Sequence, residues 1–307
     1  MQLGMIGLGR MGANMAERLR AAGHDVVGFD PFSDDSDVGS LEELVAALTA
    51  PRTLWSMVPA GAPTAQTVND LAELLTEGDV LVEGGNTRFT DTIIRAERYA
   101  EAGLGYVDAG VSGGVWGLER GYALMVGGED AHVERVWPLL VDLAPGGAAD
   151  TGKGLAHVGP PGAGHFTKMV HNGIEYAVMQ AFAEGYELMA RHPLGVDVPA
   201  ALGAWQEGSV IQSWLLDLLV RGLEAHPGFE DLDDVASDSG EGRWTVETAV
   251  ATGVPVPAIA AALFARFESQ HEESLAMKAI AALREQFGGH AVVRRDDPRD
   301  VPAGEGG

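Results

Sequence analysis

The sequence predicts an α/β amino-terminal domain with a mostly parallel sheet, followed by an all-α carboxy-terminal domain opened by a long helix. Three observations predict it. Up to about residue 158, short apolar runs rich in Val, Ile and Leu alternate with amphipathic stretches, the pattern of strands joined by helical crossovers. The run GPPGAGHFTKMVHNGIEYAVMQAFAEGYELMAR (159–191) opens on prolines and glycines and then has no proline until Pro193. It reads as one helix over 162–191, roughly 45 Å long at 1.5 Å per residue. Beyond Arg191 strand signals stop and only helical patterns follow.

Taken in order, residues 2–30 hold a strand, a glycine turn, a helix over 11–22 and a second strand ending in Asp30. The turn is GLGRMG. Gly7 makes the tight turn, Gly9 lets the backbone approach a pyrophosphate, and Gly12 allows close helix–strand packing. The helix amino terminus then faces an anion. This is the dinucleotide-binding, Rossmann-type fingerprint, and Asp30 stands where an acid holds the ribose 2′-hydroxyl. The following PFSDD adds negative charge and no Arg, so NAD is favoured over NADP, whose 2′-phosphate Asp30 would repel. The cofactor site is expected to be lined by Gly7, Gly9, Arg10, Met11, Gly12, Asp30, Met57, Val58, Pro59 and Asn86.

The rest of the first domain is predicted as helix 41–48, strand 53–58, turn PAGAPT, helix 65–75, strand 80–83, helix 91–102, strand 106–108, strand 123–126, helix 131–143 and strand 155–158. Asn86 in GGNTR and Ser112 in GVSGG lie at carboxyl ends of strands, where ligands bind on such sheets. Helices are predicted over 199–206, 210–225, 244–252, 258–269 and 271–287, with an acidic loop over 227–242. The domains read as 1–160 and 161–293. The charged, Pro- and Gly-rich tail 294–307 is expected to be disordered.

On the long helix Lys168, His171, Asn172 and Glu175 fall on one face. Such polar stripes are often solvated faces. Here the chain has only three lysines against seventeen arginines, and a deprotonatable amine is something Arg cannot supply.

The formal net charge of −25 argues against a general nucleic-acid or anionic-membrane binder. It reads either as a solubility device or as an adaptation to high salt, and an anionic substrate would require a local basic pocket. No apolar run is long enough for a membrane span, and the first residues lack the features of a signal peptide. With no cysteine, disulfides and thiolate metal sites are excluded, and a cytoplasmic location is the expectation.

The motifs GLGRMG, GGNT, DAGVSGG and the GxGxxxKxxxN pattern (162–172) resemble the β-hydroxyacid dehydrogenase superfamily. KMVHNGIEY (168–176), GSVIQSWLL, GRWTVETAVATGVPVP, FARFESQ and LREQFGGHAV narrow the resemblance to the 6-phosphogluconate dehydrogenases, across nearly the whole chain to residue 292. The resemblance implies oxidative decarboxylation of 6-phospho-D-gluconate to ribulose 5-phosphate with NAD, in the pentose phosphate pathway. It implies Lys168 as base, Glu175 as acid and Asn172 beside them. Asn86, Ser112, Gly113, Gly114, His171 and Asn172 would hold the carboxylate and hydroxyls, and Tyr176, Arg266 and Arg284 the phosphate. Arg284 and His290 lie in the segment that in the family reaches a neighbouring subunit's site, which implies a homodimer or dimer of dimers with shared sites and makes 161–293 a substrate and dimerisation domain. No metal is expected. The turn SDSGEGRW departs from the family: Ser239 and Glu241 stand where Lys and Thr are common, and a carboxylate beside a phosphate is unfavourable. Arg243 is the cation at hand to offset it. The competing readings are a plain 3-hydroxyacid or unphosphorylated aldonate dehydrogenase and a non-catalytic dinucleotide-binding regulator.

Overall fold

The structure, a computed structural model, describes residues 1–150, 152–288 and 292. By its internal contacts the chain forms two compact units, Met1–Met179 with Ser239–Ile259, and Gln180–Asp238 with Ala260–Gly307. The tail expectation over 294–307 lies outside the described residues, as does His290.

The first unit runs β1 (Gln2–Ile6), α1 (Arg10–Ala21), β2 (Asp25–Phe29), α2 (Leu41–Ala47), β3 (Thr53–Ser56), α3 (Ala62–Leu74), β4 (Val80–Glu83) and α4 (Phe89–Glu101). It continues with β5 (Gly105–Ser112), α5 (Gly117–Arg120), β6 (Ala123–Gly128), α6 (Asp130–Leu143) and β7 (Leu155–Gly159). The sheet order is β2-β1-β3-β4-β5-β6-β7. Every pairing is parallel except β5 with β6. The direction reverses there because only a short helical excursion joins these two strands, whereas a parallel return needs a longer crossover. The order changes hand between β1 and β3, the place where such sheets open a crevice for a nucleotide.

Two apolar layers sandwich the sheet. Met15 and Leu19 of α1 and Val133, Val136 and Leu140 of α6 bury one face with Leu3, Met5, Trp55 and Val107. Leu44 of α2, Val68 and Leu71 of α3 and Tyr99 of α4 bury the other with Ile6, Leu54 and Leu81. Strands covered on both sides explain why β3 and β4 read as continuous runs: all their residues are buried.

The long helix is α7 (Ala163–Arg191), which begins in the first unit and ends in the second. Its start is set by Asp108 of β5, a fully buried carboxylate that accepts from the backbone N–H groups of Gly162 (2.7 Å) and His165 (2.8 Å). A carboxylate delivered from the sheet thus does the work of a capping side chain.

Then come α8 (Val198–Trp205), α9 (Trp214–Ala225), α10 (Glu241–Thr252), α11 (Pro257–Ser269) and α12 (Leu275–Gly288). In the second unit Val198, Leu202, Leu216 and Leu223 pack with Phe182, Tyr186 and Met189 of α7. Several predicted bounds move, each for a local reason. The expected helix 210–225 starts at Trp214 because the Ser213 side chain accepts from Leu216 N. The expected helix 271–287 starts at Leu275, where Ser274 Oγ accepts from Met277 N. The expected turn PAGAPT is partly helix, with Pro63 in the first turn of α3, where its missing N–H costs nothing. The strand expected over 106–108 extends to Ser112 as the partner of β6.

Candidate active site

The site is assembled at the carboxyl edge of the sheet, strand by strand. After β1, Gly7 takes φ +86°, and a Cβ on Gly12 would lie 1.9 Å from the Gly7 carbonyl oxygen, so α1 can start this close to the turn only without a side chain at 12. The N-cap is Gly9, which offers no side-chain cap to the first turn and has open space where a Cβ would be. Arg10 and Met11 follow in that first turn. Bare backbone N–H groups at a helix start, with room in front of them, fit a pyrophosphate.

Asp30, just past β2, is held on this turn. Its Oδ2 accepts from Leu8 N at 2.8 Å and its Oδ1 from Phe32 N at 2.9 Å. A carboxylate has about four acceptor positions, so roughly two remain for ribose hydroxyls. Met57, Val58 and Pro59 leave β3 beside the same turn, with Met57 N bonded to Ile6 O at 2.7 Å. The loop after β4 presses on them: a Cβ on Gly85 would stand 2.6 Å from Val58 O. The glycine turn, Asp30 and the end of β3 thus meet at the carboxyl edge of the sheet, where Leu8 N bonds Asp30 and Gly85 approaches Val58.

Asn86 is set by a buried anchor under its loop. Glu83 at the end of β4 is buried and accepts from Thr87 Oγ1 at 2.5 Å, from Arg95 Nη1 at 2.9 Å and from the Tyr106 hydroxyl. Burial and the Glu83 charge push the Tyr106 phenol well above its ordinary value, so it stays a donor. Next along the sheet, Ser112 ends β5, followed by Gly113 and Gly114. Ser112 shares a strand face with Gly110, two residues back.

Gly110 is where α7 meets β5. A Cβ there would lie 2.5 Å from the Lys168 Cβ and 2.8 Å from the Gly164 carbonyl oxygen, so the missing side chain lets Lys168 settle on the strand. Lys168 is only 9% exposed. Burial lowers its pKa from the usual amine range, and the charges of Glu175 and then Glu241 oppose that shift. Asn172 is equally buried one turn on, and its Oδ1 lies 3.0 Å from His171 Nδ1. His171 and Glu175 are half-exposed, with Nδ1 and Oε2 3.8 Å apart.

The helix α10 completes the cluster. Gly242 and Gly173 permit its close approach to α7: a Cβ on Gly242 would lie 2.6 Å from the Tyr176 ring and one on Gly173 2.8 Å from Thr245. Thr245 Oγ1 also donates to Met169 O at 2.9 Å. Tyr176 is buried and its hydroxyl accepts from Ser239 N at 3.1 Å. This seating delivers Glu241, only 2% exposed, onto the polar face of α7. Its Oε1 accepts from Asn172 Nδ2 at 3.2 Å and from Asn86 Nδ2.

Of the residues singled out in the sequence, the structure thus brings Asn86, Lys168, His171, Asn172, Glu175 and Tyr176 into one cluster within the first unit. Arg266 and Arg284 belong to the second unit. There Arg266 donates to Ser237 O at 2.9 Å and Arg284 is exposed on α12. His290 is outside the described residues. The sequence reading missed Glu83 and Asp108 as anchors and treated Glu241 only as an odd residue in a turn. The sole signal for Glu241 was its mismatch with the family pattern.

Residues 2–152 match the family described as the NAD binding domain of 6-phosphogluconate dehydrogenase, and residues 164–290 match its C-terminal domain. A relative from Haloferax volcanii, named 6-phosphogluconate dehydrogenase, NAD(+)-dependent, decarboxylating, is 40% identical over 97% of this chain and 100% of its own length. The chain belongs to the 6-phosphogluconate dehydrogenase family. A solved 6-phosphogluconate dehydrogenase from Plasmodium falciparum superposes with a TM-score of 0.79 at 26% identity, over 98% of this chain and 67% of that one. A 3-hydroxyisobutyrate dehydrogenase from Mycobacterium tuberculosis aligns with a TM-score of 0.70 at 25% identity, over 92% of this chain and 99% of that one. The 6-phosphogluconate dehydrogenase fold is thus the better structural match of the two.

Proposed function

We propose that the chain catalyses the oxidative decarboxylation of 6-phospho-D-gluconate to D-ribulose 5-phosphate and CO2, with NAD as the oxidant. The observation that carries this reading is the buried Lys168, with its pKa drawn down, on the helix face that also presents Asn172 one turn on and Glu175 two turns on. The glycine turn and Asp30 would hold NAD, which when bound would supply the acceptor for the hydride from the substrate's C3.

Neutral Lys168 takes the proton of the C3 hydroxyl as the C3–H electron pair leaves, giving a 3-keto acid. Lys168, now an ammonium, donates toward the new carbonyl oxygen. The C1–C2 bond then breaks, CO2 departs, and the electron pair becomes the C2–C3 double bond of an enediol, whose oxygen takes the proton from Lys168. In the last step Lys168 recovers a proton from that oxygen while the protonated carboxyl of Glu175 delivers one to the former C2. Ribulose 5-phosphate results. Asn86, Ser112, Gly113, Gly114, His171 and Asn172 orient the carboxylate and hydroxyls. Tyr176, Arg266 and Arg284 would serve the phosphate, and Arg284 and His290 would reach a neighbouring subunit's site, in a homodimer or dimer of dimers whose copies share sites. Exposed apolar side chains on α12, with Leu275 72% and Leu283 64% exposed, support an association surface. No described helix is long and apolar enough to cross a membrane, and we place the enzyme in the cytoplasm.

The test is a steady-state comparison of 6-phosphogluconate with gluconate, each with NAD and NADP, with CO2 trapped alongside reduced cofactor. Equal yields of CO2 and NADH from 6-phosphogluconate are expected. NADH without CO2 would transfer the assignment to a plain 3-hydroxyacid dehydrogenase, and a preference for gluconate would remove the phosphate from it.

A further inference from the structure

The proposed mechanism gives no task to the buried carboxylate that faces Asn86 and Asn172. Glu241 opens α10 at 2% exposure and lies inside the cluster that holds Lys168. Burying a carboxylate is expensive unless it is paired and hydrogen-bonded. Yet Oε2 of Glu241 has no hydrogen-bond partner among the described residues, and Oε1 alone serves both Asn86 and Asn172. A side chain kept at that cost in a polar site invites a role in the site's chemistry.

The hydrogen-bond directions specify the role. A carboxylate only accepts, so both amides must turn their Nδ2 groups toward it. Their Oδ1 atoms are then left to accept from other donors. For Asn172 the partner is His171 Nδ1, 3.0 Å away, which must therefore carry the proton. With the proton on Nδ1, the neutral form of the imidazole presents Nε2 as an acceptor for a substrate hydroxyl. One carboxylate thereby fixes two amide orientations and one imidazole tautomer. It also acts on the base. The charged groups whose fields reach Lys168 are Glu175 on its own helix and Glu241 on α10, while β5 meets it with the side-chain-free Gly110.

We propose that Glu241 is a positioning residue of this enzyme: its carboxylate locks the amides of Asn86 and Asn172 in their working orientation and places a second negative charge beside Lys168. The inference rests on the functional reading above for its catalytic consequence, though not for the electrostatic one. The charge favours the ammonium form that Lys168 must adopt each time it accepts the hydroxyl proton. It therefore sets how far burial can depress the amine.

Two variants separate the effects. Glu241→Gln keeps an Oε1 that can accept from both amides and removes only the charge. Glu241→Ala removes both. Because the chain has three lysines, protein labelled with 13C at lysine Cε gives few resonances, and Lys168→Arg assigns one of them. In Glu241→Gln the Lys168 titration midpoint is expected to fall by at least about half a unit, since loss of a nearby opposite charge favours the neutral amine. The acid limb of its kcat/KM profile should move the same way. In Glu241→Ala, kcat is expected to fall about tenfold or more through misoriented amides, with kcat in Glu241→Gln closer to wild type. An unmoved lysine midpoint in Glu241→Gln, or wild-type kcat and KM in Glu241→Ala, overturns the proposal. The lysine titration needs no substrate. It therefore still decides the electrostatic claim if wild-type protein proves inactive on 6-phosphogluconate, an outcome that would instead overturn the functional reading.

Discussion

Between Gly7 and Gly12 the anion cradle is made of backbone, whereas around Lys168 the working groups are side chains drawn from residue 86, from 168–175 and from 241. The cradle is a local object. Six residues, a positive φ at Gly7 and an uncapped helix start suffice, and a single carboxylate, Asp30, ties it to β2. The chemical end is non-local. Lys168 reaches its place because Gly110 of β5 yields room, Asn86 because Glu83 anchors its loop, and Glu241 because Gly173 and Gly242 let α10 close on α7. The comparison teaches that the two ends should fail differently. Damage at the cradle should weaken cofactor binding and leave the lysine's environment alone. Damage at the cluster should stop chemistry and leave NAD bound.

The strongest break is Lys168→Ala. It removes the proposed base while the glycine turn is untouched, so kcat/KM is expected to fall by about 10³-fold or more, within the range general acid–base groups contribute. NAD binding, measured by calorimetry, should stay within a factor of about two, because no cradle group has changed. In the wild type the same lysine gives the pH dependence its sign. Only the neutral amine can accept the hydroxyl proton, so activity rises with pH through its titration. The midpoint should lie below the ordinary lysine value of about 10.4, because burial disfavours the ammonium. A wild-type rate in Lys168→Ala would mean that the cluster is not the chemical end at all.

The matching break at the other end is Gly12→Ala. Its Cβ would lie 1.9 Å from the Gly7 carbonyl oxygen, a backbone atom that cannot swing aside as a side-chain tip can. Either α1 or the turn must move, at a cost of roughly 1–3 kcal/mol for an overpacked contact. The loss should appear in NAD affinity and in Tm, while the Lys168 titration by 13C NMR stays where it was. A shifted lysine titration in this variant would show that the two ends are coupled and that the contrast between them is too sharp.

Legibility in the sequence followed the same divide. The cradle could be read directly, because each glycine and Asp30 sits at a fixed spacing within one strand–turn–helix–strand unit. The order of strands and helices could be read as well, since strands buried on both faces are continuous apolar runs. The polar face of α7 was visible from its helical spacing, but not its burial, which depends on Gly110 some sixty residues earlier in the chain. Glu241 could not be placed, because nothing local distinguishes a glutamate that starts a solvated helix from one that α7 and the loop after β4 enclose. The capping of α7 by Asp108 is hidden for the same reason: the side chain that starts the helix belongs to a strand. The antiparallel β5–β6 pair was missed because the short excursion between them looked like glycine loop.

The finest test concerns the one side chain of the cradle. Asp30 holds the turn through Leu8 N, and its proposed second task, facing the ribose with what acceptor capacity remains, would be confused with the first by a single substitution. Asp30→Asn keeps an acceptor for Leu8 and removes the charge. Asp30→Ala removes both. If the carboxylate selects the cofactor, Asp30→Asn should lose part of its discrimination against NADP, because a neutral amide no longer repels a 2′-phosphate. Its kcat/KM with NAD should fall about tenfold or less, the worth of a charged hydrogen bond traded for a neutral one. Asp30→Ala should show that change plus a looser turn, read as a further drop in NAD affinity by calorimetry. An unchanged NAD/NADP preference in both variants would mean that Asp30 is purely a turn anchor and that cofactor choice is made by other groups along the edge. A preference altered only in Asp30→Ala would assign the effect to turn geometry rather than to charge, and the cradle would then be backbone in its specificity as well as in its construction.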